Sequence, residues 1–205
     1  MEMNIFKKIY SDGIKFLLTG VGGQGTILAS NVLADLGLQL GLDVKKAEIH
    51  GMSQRGGTVT SYVRWADKVY SPIISKGEAD FIVAFEKLEA LRAIDQLKPG
   101  GTILINDHAI IPVTVSSGMT DYPNDEEIKE KIHHFTPHDY WVKGMEIAEG
   151  LGNSKVSNVA ILGALSKLLD LDQELFLKVI DSKIPGKFRS VNEMAFKKGS
   201  ESIGS

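Results

Sequence analysis

Lys15-Phe-Leu-Leu-Thr-Gly-Val-Gly-Gly-Gln-Gly-Thr26 is the stretch whose reading decides the fold. The apolar run Ile14 to Thr19 predicts a buried strand. Gly20, Gly22 and Gly25 then fall at G-x-G-x-x-G spacing. Thr26 to Leu40 predicts a helix with Ile27, Leu28, Val32, Leu33, Leu36 and Leu40 on one broad face, and Gly41 stands where a C′ glycine ends such a helix. A strand, a glycine turn and a helix aim backbone amides and a helix N-terminus at an anion with no Cβ in the way. The same glycines also suit a sharp turn and close packing, with no ligand at all.

Outward from that turn, strand and helix signals alternate. Val44 to Ile49 and Thr58 to Trp65 predict strands, the second with Val59, Ser61, Val63 and Trp65 on a drier face. A short extended piece follows at 69–74. Phe81 to Ala84 and Thr102 to Ile105 are short apolar runs, as in strands buried on both faces. A helix is expected over Glu86 to Leu97, irregular chain from Asn106 to Gly118, an exposed helix over Asp125 to Phe135 and a last strand at Tyr140 to Val142. Helices then fill Met145 to Leu151, Asn158 to Leu169, Gln173 to Ile184 and Phe188 to Lys198. The expected fold is α/β: a mainly parallel, Rossmann-like sheet with helices on both faces and a helical C-terminal third, in one domain over 1–198 with a loose tail over 199–205.

Composition narrows the function classes. The chain has 205 residues and a formal charge of -3, without the basic stripe of a nucleic-acid binder. It has no cysteine, which rules out disulfides, thiolate-held iron–sulfur clusters and a cysteine nucleophile on this chain. The N-terminal Met1-Glu-Met-Asn-Ile-Phe-Lys-Lys lacks the apolar core of a secretory signal, and no run reaches the ~20 apolar residues of a membrane span. The expected location is cytoplasmic, with neither membrane nor nucleic acid as partner.

The second informative stretch is Glu48-Ile-His-Gly-Met-Ser-Gln-Arg-Gly-Gly57. Glu48 lies near the place where a dinucleotide fold puts its ribose-binding acid, about 20 residues after the turn. The loop after it is unlike that of a plain mononucleotide half. Ser53, Gln54 and Arg55 beside Gly56 and Gly57 offer a hydroxyl, an amide and a guanidinium able to clamp a phosphate or carboxylate. A subunit contact fits the loop equally. Gly20, Gly22, Gly23, Gln24 and Gly25, with Ser53, Gln54, Arg55, Gly56 and Gly57, are therefore the candidate binding residues, and no residue is assigned a catalytic or metal-ligating role. His133, His134 and His138 match no zinc spacing and read as a solvated helix end. Asp107-His108 reads as a loop cap, and Asn158 as the cap of the helix it begins. Glu48, Glu86, Asp107 and the two glycine loops all follow strands, and so are candidates for one rim.

Taken together, Gly20 to Gly25, Glu48 to Gly57, Val63-Arg64 and Asn158-Val-Ala-Ile-Leu-Gly-Ala-Leu165 resemble the gamma-type domain of the 2-oxoacid:ferredoxin oxidoreductases. Within that family the His50 to Gly57 loop is most similar to that of the indolepyruvate enzymes. The resemblance, running from about Lys15 to Lys198, implies a subunit without thiamine or cluster. It implies a catalytic partner carrying thiamine diphosphate, magnesium and iron–sulfur clusters, and ferredoxin as an indirect partner. Coenzyme A is then a candidate ligand at the glycine loops, and a homodimer of the isolated chain stays open. Two other readings stay open as well: a free-standing NAD(P)-binding Rossmann oxidoreductase, and a nucleotide-sensing interaction protein.

Overall fold

The computed structural model describes residues 13–51 and 57–204. β1 (Ile14–Val21) leads through the glycine turn into α1 (Thr26–Gln39). α1 closes as the sequence predicts. Gly41 is left-handed (φ 75°), and the Leu42 and Gly41 amides donate back to the Gly37 and Leu38 carbonyls, both at 3.0 Å. The expected face of α1 is the one that packs inward: Val32, Leu33 and Leu36 are buried with Ala29, Leu28 and Leu40 pack against the same core, and only Ile27 departs from it, being exposed. Trp65 of the neighbouring sheet lies against Gly37, where a Cβ would overlap its indole.

β2 (Asp43–His50), β3 (Thr58–Ala66), β4 (Ala79–Ala84), β5 (Leu97–Asn106) and β6 (Asp139–Val142) complete a six-stranded sheet of order β2-β3-β1-β4-β5-β6. β3 is antiparallel to both neighbours, whereas β1–β4, β4–β5 and β5–β6 pair in parallel. Only β3 therefore runs against the rest, and the sheet is mostly parallel. The carboxyl ends of the other strands share one rim. On β3, Ser61, Val63 and Trp65 form the dry face that the alternation predicts, while Val59, at the open end of the strand, is only half-buried.

The period-2 pattern of the parallel strands feeds two layers. Phe16, Leu18, Phe81, Val83 and Leu104 face α1 and the C-terminal helices. Leu17, Ile82, Ile103 and Ile105 face α2 (Lys87–Ala93) and α4 (Asp125–Phe135). α2 is shorter than expected. It passes into a 3-10 turn at Ile94–Gln96, because Leu97 already pairs with Ala79 as the first residue of β5. The register of β5 then shifts across Pro99-Gly100-Gly101 before the regular part resumes at Thr102. α3 (Val113–Ser116) is a single turn within the segment expected to be irregular. α4 opens on a capping box between Asn124 and Glu127 and buries only Ile128 and Ile132, one turn apart.

The helical third comprises α5 (Gly144–Gly150), α6 (Ser157–Leu168), α7 (Gln173–Lys183) and α8 (Arg189–Glu201). α6 is buried from Ser157 through Ser166, as an all-round apolar helix must be. The tail expected from Gly199 is corrected here: α8 continues to Glu201, and Gly199 and Ser200 are buried. The reason is reciprocal. A Cβ at Gly199 would overlap the Ala160 carbonyl, and one at Gly163 the Phe196 carbonyl, so the two helices cross with their backbones in contact. Among the described residues no helix is long and apolar enough to cross a membrane.

Candidate functional site

The order of the strands puts β1 and β4 side by side, with β2 and β3 on one flank and β5 and β6 on the other, so the chain reverses direction across the sheet between them. Ligands of open α/β sheets sit at such a reversal, beyond the carboxyl ends of the strands. A cleft of about 330 Å³ lies there. Gly22, Gly23 and Gln24 form one wall, and Phe85, just after β4, lies beside them. Ser154, Lys155, Ser157 and Asn158 close it from the N-terminal end of α6, with Lys155 as the charged side chain of the lining.

The turn is held by its own glutamine. Gln24 Oε1 accepts the Val21 amide at 2.7 Å, and Nε2 donates to the Phe85 carbonyl at 2.8 Å. The Phe85 amide in turn donates to Thr19 at 2.8 Å, so the ends of β1 and β4 are laced together. Gln24, proposed from sequence as a binding residue, lines the cleft with its side chain already committed. The Gly22 amide donates to the Gly57 carbonyl at 3.0 Å. This bond brings the end of the second glycine loop onto the first, but uses an amide expected to face an anion. Gly23 is left-handed (φ 97°) with open space around it.

Two of the expected binding glycines are also closely packed. Gly20 is buried in β1, and a Cβ there would meet Gln24 Oε1 and Thr26 Oγ1 at 2.9 Å. Gly25 caps α1 in a left-handed conformation (φ 84°, ψ 19°), and a Cβ would overlap the Asn158 amide. Asn158 is accordingly no cap: Val156 holds that position, and Asn158 lies inside α6 against Gly25. Its Oδ1 and Thr26 Oγ1 are buried without a hydrogen-bond partner. Ser53, Gln54, Arg55 and Gly56 lie outside the described residues.

Several cleft residues escape a reading of the sequence. Asn106, 2 % exposed at the end of β5, accepts from the Gly144 amide (3.0 Å) and donates to the Phe85 carbonyl (3.2 Å) and Ser157 Oγ (3.4 Å). One amide thus fixes the starts of α5 and α6 over the rim. A polar residue closing the apolar run 102–105 is the signal that marks it. Lys155 and Ile110 carry no such signal, because helix packing and a loop bring them in. A second groove of about 450 Å³ shares Lys155 and Asn158 and continues along apolar Leu28, Val159, Ile184 and Phe188.

The other candidates resolve locally. Glu48 does not occupy a ribose position, because β3 separates β2 from β1 and moves Glu48 one strand further from the turn, about 5 Å at the usual strand spacing. The Lys46 ammonium, 2.5 Å away, and His50, 3.3 Å away, hold its carboxyl below the usual range. His133 Nδ1 lies 2.9 Å from an Asp139 carboxylate oxygen, a hydrogen-bonded pair at a helix end. Asp107 lies 3.4 Å from the buried ammonium of Lys87.

Comparison with known proteins fits this geometry. The family model described as pyruvate ferredoxin/flavodoxin oxidoreductase matches residues 15–202. The chain is 40% identical over 190 residues to the indolepyruvate oxidoreductase subunit IorB of Thermococcus kodakarensis, covering 89% of this chain and 92% of that protein. Among solved structures, a keto/oxoacid ferredoxin oxidoreductase gamma subunit from Geobacter sulfurreducens superposes with TM-score 0.67 at 23% identity, covering 92% of this chain and 97% of that one. The 2-oxoglutarate:ferredoxin oxidoreductase of Magnetococcus marinus, solved with 2-oxoglutarate, coenzyme A and succinyl-CoA, gives TM-score 0.74 at 22% identity over 93% of this chain and 31% of that one.

Proposed function

The chain belongs to the pyruvate ferredoxin/flavodoxin oxidoreductase family, and from that premise we propose that it is the subunit of an indolepyruvate-type 2-oxoacid oxidoreductase that carries neither thiamine nor cluster. The matching family model is that of ferredoxin/flavodoxin oxidoreductases, its relatives include indolepyruvate oxidoreductase subunits, and this chain has no cysteine with which to hold a cluster. The partner's thiamine diphosphate, magnesium and iron–sulfur centres supply decarboxylation and electron transfer to ferredoxin, and coenzyme A takes the acyl group. This chain contributes a wall and a set of oriented dipoles.

The observation that carries the reading is the rim cleft. Gly23 has no side chain, Lys155 supplies a positive charge, and α1 and α6 both begin beside it. These features suit an anion. The cleft has room for a phosphate and its linker, not for all of coenzyme A, and the apolar groove sharing Lys155 and Asn158 continues from it. The Ser53 to Gly57 loop, with Arg55, joins this face through the Gly57–Gly22 bond in the proposal. The anion is a coenzyme A phosphate or a carboxylate of the catalytic subunit.

In the co-expressed holoenzyme, Lys155→Ala and Arg55→Ala are expected to raise the KM for coenzyme A or to weaken co-purification with the catalytic subunit, leaving the thermal unfolding of this subunit unchanged. Native KM and native co-purification in both variants would refute the assignment.

A further inference from the structure

Glu86 has a role that neither the glycine turn nor the fold accounts for. It stands immediately before α2 and is 1 % exposed. Its Oε2 accepts the Glu89 amide at 2.9 Å, which caps the helix. A neutral side chain would do that as well, and a buried carboxylate is costly unless fully bonded. The second oxygen supplies the reason: Oε1 accepts the Ile110 amide at 3.1 Å and the Tyr122 hydroxyl at 2.5 Å. Burial, and then the Glu86 carboxylate, push the Tyr122 phenol far above its ordinary range, so it stays a donor.

Those two donors stand at the two ends of one segment. Between them Ile111, Val113 and Met119 are exposed. The next residue, Lys87, repeats the arrangement: its amide donates to the His108 carbonyl at 3.1 Å, and its ammonium pairs with Asp125 at 2.6 Å and Asp107 at 3.4 Å. Two consecutive residues therefore hold both ends of the loop at the rim, in the manner of a compact loop with adjoining termini. Ile110, the first residue bonded to Glu86, is also a wall of the cleft.

We infer that Glu86 is a positioning residue for the rim cleft: its carboxylate fixes the Ile110 wall by clamping the two ends of the 110–122 loop. It touches no reacting atom. The effect on ligand binding rests on the reading that the cleft receives part of coenzyme A; the clamp itself does not.

The test uses the assembled holoenzyme with Tyr122→Phe and Glu86→Gln, hydrogen exchange by mass spectrometry, and the coenzyme A kinetics. Loss of one hydrogen bond to a charged acceptor predicts about tenfold faster exchange confined to residues 109–121, with the KM for coenzyme A raised and kcat unchanged. Should Glu86→Gln not fold, Tyr122→Phe decides, since it leaves the carboxylate in place. Native exchange in that loop overturns the clamp. Faster exchange with native KM, while Lys155→Ala raises KM, overturns the positioning of the cleft. Faster exchange with native KM in Lys155→Ala as well upholds the clamp and refutes the coenzyme A reading instead.

Discussion

Replacing Gly25 with alanine probes how the glycine turn is packed, and its cost divides into two parts. Gly25 sits at φ 84°, ψ 19°, a conformation that costs an L-residue about 1–2 kcal/mol. The new methyl would also overlap the Asn158 amide, which is 5 % exposed and has no room to withdraw. Forcing a group into packed surroundings costs about 1–3 kcal/mol. The sum, about 2–5 kcal/mol, is a large share of the 5–15 kcal/mol that holds a typical domain together. At about 2–4 °C per kcal/mol, Tm should fall by roughly 4–20 °C. Gly23→Ala is the matched control, since Gly23 is also left-handed (φ 97°) but has nothing within 4 Å, so only the backbone part applies. Asn158→Ala removes the obstacle, so in that background Gly25→Ala should cost only the backbone part. That is a coupling of about 1–3 kcal/mol between the two sites. Thermal and urea unfolding of the three single variants and the double variant measure every term. If Gly25→Ala is no worse than Gly23→Ala, or costs the same with Asn158 absent, the contact between turn and α6 does not carry the energy assigned to it.

Gly199→Ala sets two effects against each other. Helix propensity favours alanine by about 1 kcal/mol, while the new methyl would overlap the Ala160 carbonyl, a backbone group that cannot rotate away, at a cost of about 1–3 kcal/mol or more. Overlap should win, and a raised Tm would show that the crossing of α6 and α8 is looser than described. Asp139 gives a pH signature. Burial raises its carboxyl, but the bonds from His133 and Trp141 outweigh that and hold it below the ordinary 3.8. A lowered folded value contributes stability above pH 3.8 that is lost as the pH falls through it. Asp139→Asn should therefore lower the urea midpoint at pH 7 and converge on the native chain under more acid conditions; a gap independent of pH would contradict the assignment.

Much of the fold was legible because periodicity reports burial. The two-residue alternation of Ser61, Val63 and Trp65, the apolar run 81–84 and the cap at Gly41 each carry a local physical signature. The insertion of β3 between β1 and β2 carries none, because a strand's own side chains do not state which neighbour it joins or in which direction. The glycine turn was legible as a turn, but not in its division of duties. Gly20 and Gly25 are dictated by Thr26 and Asn158, and the second of these is distant in sequence. Leu97 looked helical until its pairing with Ala79 took it into β5. The sequence marks Glu86 only as a residue following a strand; its three donors come from Glu89, Ile110 and Tyr122, and two of those are long-range.

Glu48, considered at first as a ribose ligand, has a different consequence as part of β2, the outermost strand on its side of the sheet. Lys46 pairs with it at 2.5 Å, and Lys45 pairs with Asp43 at 2.6 Å along the same strand. An exposed margin of peptide groups invites other chains to add on sideways, and charges placed along it are a common safeguard. A newcomer lying down beside β2 would have to strip hydration from these ammonium and carboxylate heads. Lateral polymerisation along this edge is thereby discouraged.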